Sequence, residues 1–318
     1  MRMLIALTLI LATSNVAHAQ DELAVVPSNG IKLDKQLVQR WKVGMTLSAA
    51  GPCGDILGTT PVPTDWPEQQ VRIVEEDFSP EIKDVTYRTL ENGVKQMLIA
   101  IPVLRPGQQA HAFVTFEVTR SSILGPDDPT QFEMPKKLTK ELKKFLEPSP
   151  SIESKHPKIR TRARQLVNDE LSAWEQVEVI YDWVRDNVEY SNGPLKGALA
   201  AMNDGNGDCE ELTSLFIALC RANGIPARTV WIPGHCYPEF YLQDHEGVGH
   251  WFPCQAAGTR DFGSMPDHRP ILQKGDNYRV PEKKNVPQRY VAEFLNGKFD
   301  TRGGKPQVEF VRQLLDGA

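Results

Sequence analysis

The chain has 318 residues, 24% of them charged, and a formal net charge of −5. That length accommodates two domains with separate cores. The acidic balance excludes a nucleic-acid binder, which would carry a basic face, and the one basic run, Lys136-Lys137 to Lys143-Lys144, reads as a solvated helix face.

The chain opens on a removable address. Met1-Arg2-Met3 is a short basic start, Leu4 to Ala12 is an apolar run, and Ala17-His18-Ala19 supplies small residues for a cut after Ala19. The run is too short to span a bilayer, and no cysteine stands near the cut to take a lipid. The expectation is a secreted or periplasmic protein with no stable membrane insertion. Residues 20–135 then read as a β-rich, sandwich-like domain. Val85–Leu90 and Val94–Ile101 flank Glu91-Asn92-Gly93, and Asn-Gly is a strong hairpin signal. Ala110 to Thr119 reads as a further strand, and Pro and Gly punctuate 51–67. The stretch Trp66-Pro67-Glu68-Gln69 fits a packed turn as well as it fits a ligand site. Nothing in this region gathers a nucleophile, a base and an anion site.

Helices begin in the next region, 136–285. Ser172-Ala173-Trp174-Glu175 is a capping box. Val177, Ile180, Tyr181, Val184 and Val188 follow at helical spacing. Lys196 to Met202 reads as a short helix, and Asn203 to Gly207 as a breaker. The next helix starts at Cys209, in Gly207-Asp208-Cys209-Glu210-Glu211, and buries Leu212, Leu215, Phe216, Leu219 and Cys220 on one face. It stops at Asn223-Gly224 before Pro226. Cys220 is read as a small core residue. Arg228–Ile232 is a strand. Residues 286–318 are set apart as a C-terminal extension, with Val308 to Leu315 read as a closing helix.

A cysteine at a helix N-terminus sits where the dipole and free N–H groups favour a thiolate. Five cysteines (53, 209, 220, 236, 254) are an odd number, so at least one thiol is free or paired between chains. Cys209 is the candidate. Glu210 and Glu211, in the first helical turn, would raise its pKa. His235 to Leu242 and Val248 to Gln255 form a hairpin around Gln243–Gly247. With Leu242 facing Val248, His235 lies opposite Gln255, Cys236 opposite Cys254 and Glu239 opposite Trp251. Alternation puts His235, Tyr237, Glu239, Trp251 and Gln255 on one face, and Cys236, Phe240, Leu242, Val248, Phe252 and Cys254 on a core face. Gln255 can then hold the His235 ring, and Cys236 and Cys254 can meet as a cross-strand disulfide or as two packed thiols. A zinc site from His235, Cys236, His245, His250 and Cys254 is disfavoured. His235 and Cys236 point to opposite faces, and four strand residues put His250 and Cys254 about 13 Å apart.

Residues from about 155 to 260 resemble the transglutaminase-like superfamily, a papain-related domain. Gly207-Asp208-Cys209, Gly224-Ile225-Pro226-Ala227-Arg228, the His235 strand and Trp251-Phe252-Pro253-Cys254-Gln255 carry the likeness. It implies an α+β fold: an antiparallel β-sandwich-like domain followed by a papain-like, transglutaminase-like α+β domain. Gln255 stands where the family usually has Asp. A neutral amide orients the ring but stabilises its charge less. The resemblance implies acyl transfer on peptide or carboxamide bonds through a Cys209 thioester. Cys209, His235 and Gln255 form the triad, Glu239 and Trp251 support the site, and hydrolysis is favoured over cross-linking. The substrate is a protein or peptide, with cell-wall peptide one option. No nucleotide, haem, flavin or calcium-loop motif is present, so neither a cofactor nor a metal is expected. The alternative is an inactive member of the family that binds a peptide or cell-wall component.

Overall fold

The computed structural model describes residues 31–300 and 305–317. The leader expected at 1–19 lies outside the described residues. The first domain opens with β1 (Lys32–Ser48), β2 (Cys53–Pro61), β3 (Gln69–Phe78), β4 (Asp84–Thr89), β5 (Lys95–Leu104) and β6 (Gln109–Leu124). Apolar residues at every second position drive the layering. Trp41, Val43, Met45 and Leu47 of β1 and Ala112, Val114, Phe116 and Val118 of β6 are buried. So are Ile56 of β2 and Met97, Ile99 and Ile101 of β5. Asn92 and Gly93, both at positive φ, turn the chain between β4 and β5, where the Asn-Gly signal places a turn.

The second domain follows. Its first elements are β7 (Phe132–Glu133), α1 (Lys140–Lys144), α2 (Pro157–Leu166), α3 (Ala173–Asn187), β8 (Glu189–Tyr190), α4 (Ala198–Asp204) and β9 (Asn206–Gly207). Then come α5 (Cys209–Ala222), β10 (Ala227–Ile232), β11 (His235–Asp244), β12 (Gly249–Pro253) and β13 (Gln273–Lys274). Helix α5 is the centre of this domain: every residue from Glu211 to Arg221 is buried. Helices α2, α3 and α4 pack against it together with a sheet ordered β12-β11-β10-β13. The Ser172–Glu175 capping box opens α3 with both of its reciprocal hydrogen bonds.

After β14 (Tyr278–Arg279) and β15 (Pro287–Gln288), the chain returns to the sandwich. β16 (Phe294–Phe299) pairs with β2, and β17 (Gln307–Gly317) pairs with β1. The sandwich is therefore two four-stranded sheets, ordered β17-β1-β6-β3 and β16-β2-β5-β4. The expected closing helix at Val308–Leu315 is instead part of β17. The outer edge of β1 offers unpaired N–H and C=O groups that a returning strand satisfies, a demand set by residues at the other end of the chain.

The two domains share a core and a bridge. Ile123 of β6 packs with Val230, Ile232, Tyr237, Met265 and Ile271, and Ile123 and Met265 exchange backbone hydrogen bonds of 2.9 and 2.8 Å. Beside this seam lies a buried ionic cluster. Lys274 Nζ contacts Glu68 Oε1 at 2.6 Å and Glu239 Oε1 at 2.8 Å, and Arg228 donates to Glu239 Oε2 at 2.7 Å. Arg120 lies 3.5 Å from Glu68. A cleft of about 1600 Å³ opens here, lined in part by Asp65, Trp66, Arg228, Glu239, Trp251 and Lys274. Among the described residues, no helix is long and apolar enough to cross a membrane.

Candidate functional site

The start of α5 is built by its own first turn. Asp208 is the N-cap: its Oδ1 accepts the N–H of Glu210 at 2.7 Å, and Glu211 Oε2 accepts the N–H of Asp208 at 3.1 Å. This reciprocal cap satisfies donors the helix leaves open. Gly207 is required here, because a Cβ would lie 2.4 Å from the Cβ of Glu211 as that side chain folds back. The parallel pairing of β8 with β9, continued by Ser191 N–H donating to Gly207 O at 2.8 Å, fixes the approach. Cys209 thus occupies the first position of a 14-residue helix, half-buried.

His235 is placed by a tight hairpin. Ile232 pairs with His235 across Pro233-Gly234, and Gly234 takes a φ of +70°. The ring Nε2 lies 3.0 Å from Gln255 Oε1. An amide oxygen only accepts, so Nε2 carries the hydrogen and donates, which leaves Nδ1 for the thiol. The Cys209 and His235 side chains interact electrostatically, each shifting the other's pKa. Gln255 is itself held: its carbonyl accepts the Tyr181 hydroxyl at 2.8 Å and Arg185 at 2.9 Å, and its N–H donates to Asp261 O at 2.8 Å. The structure therefore brings Cys209, His235 and Gln255 together.

It reaches that arrangement by a different register from the one expected. Leu242 pairs with His250 and Tyr241 with Trp251, two residues away from the expected alignment. Asp244 causes the slip. Its carboxylate accepts the N–H groups of Glu246 and Val248, at 3.0 and 2.9 Å, and closes a shorter loop. A slip of two preserves which face each side chain occupies. Gln255 reaches the ring from beyond the end of β12, not from a position opposite His235. Cys236 and Cys254 are no longer opposed, and the disulfide is absent: all five cysteines are free. Cys254 Sγ faces Pro238 O at 3.9 Å, whereas Cys236 Sγ lies 3.6 Å from the carbonyl of Cys209.

These contacts set the electrostatics. The Cys209 thiol is held down at about 5, first by the hydrogen bond from Cys236, with the His235 side chain adding to it and burial opposing it. Burial pulls the His235 imidazole down, but hydrogen bonds to Cys209 and Gln255 outweigh that and leave it above its ordinary value. Burial drives Cys220 and Cys254 well above the usual thiol range. It does the same for Cys236, which keeps its proton and donates. The two glutamates expected to oppose the thiolate are both occupied. Glu211 is tied to the N–H groups of Asp208 and Lys196, and Glu210 is ion-paired with Arg289.

Glu239 and Trp251 are not at the thiol. Glu239 belongs to the ionic cluster beneath the interdomain seam, and Trp251 lies under Arg228, 4.0 Å from ring centroid to guanidinium carbon. His250 is buried against Asp244 Oδ2 at 2.9 Å, and His245 is exposed. No three His, Cys, Asp or Glu side chains among the described residues are grouped to hold a metal ion. Sequence reasoning missed several neighbours of the site. The Asp267–Arg269 pair, 2.6 Å apart, braces the Pro233 carbonyl before His235. Arg289 arrives from the C-terminal side with no motif to announce it. The Asp208–Glu211 cap was legible, since Asp-x-x-Glu before an apolar run is a capping pattern.

Residues 160–256 match the family model described as the transglutaminase-like superfamily. Among curated proteins, none matches the chain. Among solved structures, a candidate cysteine protease from Cytophaga hutchinsonii is similar at a TM-score of 0.60 and 19% identity, covering 90% of this chain and 93% of that one. The likeness is one of fold. The periplasmic domain of TgpA from Pseudomonas aeruginosa, bound to ethylmercury, matches at a TM-score of 0.35 and 15% identity, over 73% of this chain and 91% of that one. A score that low carries no weight for the fold.

Proposed function

We propose, from the premise that residues 160–256 form a transglutaminase-like domain, that this chain is a secreted or periplasmic thiol acyl-transfer enzyme. Its substrates are peptide or carboxamide bonds of proteins or peptides. The observation that carries this reading is the 3.0 Å contact of His235 Nε2 with Gln255 Oε1, on a ring that interacts electrostatically with the Cys209 thiol at the head of α5. Cys209 thiolate attacks the carbonyl carbon, and the resulting oxyanion faces the N–H of Cys209, one of the helix's free first-turn donors. The imidazolium gives its proton to the leaving amine as the C–N bond breaks and the thioester remains. Neutral His235 then takes a proton from water, which attacks the thioester, and the thiolate leaves with the imidazolium restored. Among the described residues the Cys209 side chain is half-buried and not enclosed, which favours hydrolysis over transfer to an amine.

A model acyl donor, p-nitrophenyl acetate, tests this independently of the natural substrate. One equivalent of p-nitrophenolate should appear as a burst, with a single acetyl group mapped to Cys209. Acetylation confined to lysines, with no burst, would support a binding module instead.

The pH profile follows from the paired shifts. The reactive form is thiolate with imidazolium. It forms as pH rises through the lowered Cys209 value, about 5, and is lost as pH rises through the raised His235 value. Plotted against pH, kcat/KM should be bell-shaped, with an acid limb near 5 and an alkaline limb above the ordinary histidine range. A single limb near pH 8.5, the ordinary thiol value, would contradict the pairing. Gln255→Ala should reduce kcat/KM by roughly 10- to 100-fold, comparable to loss of a ring-orienting partner elsewhere. It should also pull the alkaline limb toward lower pH, because a hydrogen bond that favours the charged ring is gone.

A further inference from the structure

Between β15 and β16 the chain crosses the rim of the site as a strap, residues 289–293, that lies beyond the matched segment. Its conformation is pinned, although it has no regular structure. Val291 N–H donates to Gln273 Oε1, and Gln273 Nε2 donates back to Val291 O, both at 2.8 Å. Tyr290 donates to Glu293 Oε2 at 3.0 Å, and Arg312 of β17 donates to Glu293 Oε1 at 2.6 Å. The strap thus hangs between the sheet of the second domain and the sandwich, and it delivers Arg289. The guanidinium carbon sits 5.2 Å from the centroid of the Trp231 ring, and Nη1 meets Glu210 Oε2.

We propose that Arg289 is a positioning residue for the Cys209 thiolate: the strap holds its guanidinium on Glu210, cancelling the carboxylate that adjoins the thiol and placing a fixed positive charge at the rim. The inference rests on the reading of Cys209 as nucleophile and adds to it. Glu210 is well placed for the helix dipole but badly placed for an anion one residue away. The charged or titratable groups facing Cys209 are Asp208 and Glu210 on α5, His235 and Cys236 on β11, Tyr190 on β8, and Arg289 and Tyr290 on the strap. Of these, His235, Cys236, Tyr190 and Arg289 interact electrostatically with Cys209. Arg289 is the only permanent cation in that set. Its side chain is 25% exposed, so water screens it only in part. Burial lowers the Arg289 pKa below its ordinary value, and the neighbouring groups Tyr290, Asp208 and Cys209 oppose that shift. Its place over the Trp231 ring limits the geometries it can take, and lysine lacks the planar guanidinium.

The test is the rate of iodoacetamide alkylation against pH, mapped to Cys209, in the full chain and its variants. Arg289→Gln should raise the midpoint by about one pH unit, roughly a fivefold loss of thiolate at pH 5. Arg289→Lys should recover most of that, and Arg289→Gln combined with Glu210→Gln should return close to wild type. An unchanged midpoint in Arg289→Gln would overturn the proposal. A raised midpoint that the second substitution does not lower would do the same. If Arg289→Gln does not fold, Glu210→Gln decides alone: a midpoint below wild type supports the proposal, and one equal to or above wild type overturns it. A wild-type midpoint near 8.5, the ordinary thiol value, would instead remove the nucleophile reading itself before any variant is compared.

Discussion

Replacing Cys209 with alanine is expected to abolish turnover, by at least about 10⁴-fold, while stability holds within about 1 kcal/mol. The magnitude follows from where the covalent chemistry is placed. On the proposed mechanism no thioester forms without the sulfur, and His235 has no nucleophile to pair with. Cys209→Ser should be nearly as inactive, since the contacts that stabilise a thiolate near pH 5 cannot ionise a hydroxyl at neutral pH. Cys220→Ala provides the contrast. That thiol is fully buried in the α5 stripe, so its loss should cost about 1 kcal/mol of stability and leave kcat unchanged. Steady-state kinetics with thermal melts on the three variants check this. Turnover surviving in Cys209→Ala would mean that another group does the work.

The second large effect belongs to the seam between the domains. Lys274→Ala is expected to destabilise the protein by about 3–5 kcal/mol, because it removes the cation that two buried carboxylates share. Glu239 is pulled up by burial and pulled down more strongly by Lys274 and Arg228, so that it titrates at about 2. Glu68 is likewise lowered: burial opposes, and Lys274 and Arg120 prevail. A carboxylate lowered by folding contributes stability that is complete above its unfolded value and is lost as pH falls through its folded value. Unfolding free energy should therefore be flat above about pH 5 and fall between about 4.5 and 2. In Lys274→Ala that acid-side slope should flatten as the two carboxylates lose their shared partner. Urea unfolding of both proteins across pH 2–7 measures this. A Lys274→Ala variant as stable as wild type would show that the cluster carries no net weight.

The local signals in the sequence were legible because their physics is local. Asn92-Gly93 announces its turn through positive φ, and Ser172 and Glu175 announce a helix start through reciprocal hydrogen bonds. Cys209 at the head of an apolar stripe announces itself in the same way. The faces of the β11–β12 hairpin were legible too, since alternation survives a slip of two. The register was not, because it depended on the Asp244 carboxylate capturing two N–H groups inside the loop. Nor was the strand at Gln307–Gly317 legible. Its apolar residues fit a helix by spacing, and the competing partner, the edge of β1, lies at the other end of the chain. Arg289 was invisible for the same reason. Its role comes from a strap anchored at Gln273 and Arg312, contacts that no motif encodes. Glu239 and Trp251 followed the parity of the strand correctly, but the sandwich domain claims that part of the face for its ionic cluster.

Absorbance at 240 nm, recorded from pH 3 to 9 on the folded wild-type protein minus Cys209→Ser, counts the thiolate at residue 209 directly. A single thiolate appearing near pH 5 and persisting through neutrality is the expected result, with its midpoint moved upward in His235→Ala. A difference signal that emerges only above pH 8, indifferent to His235, would mean that the sulfur and the imidazole do not act as a pair.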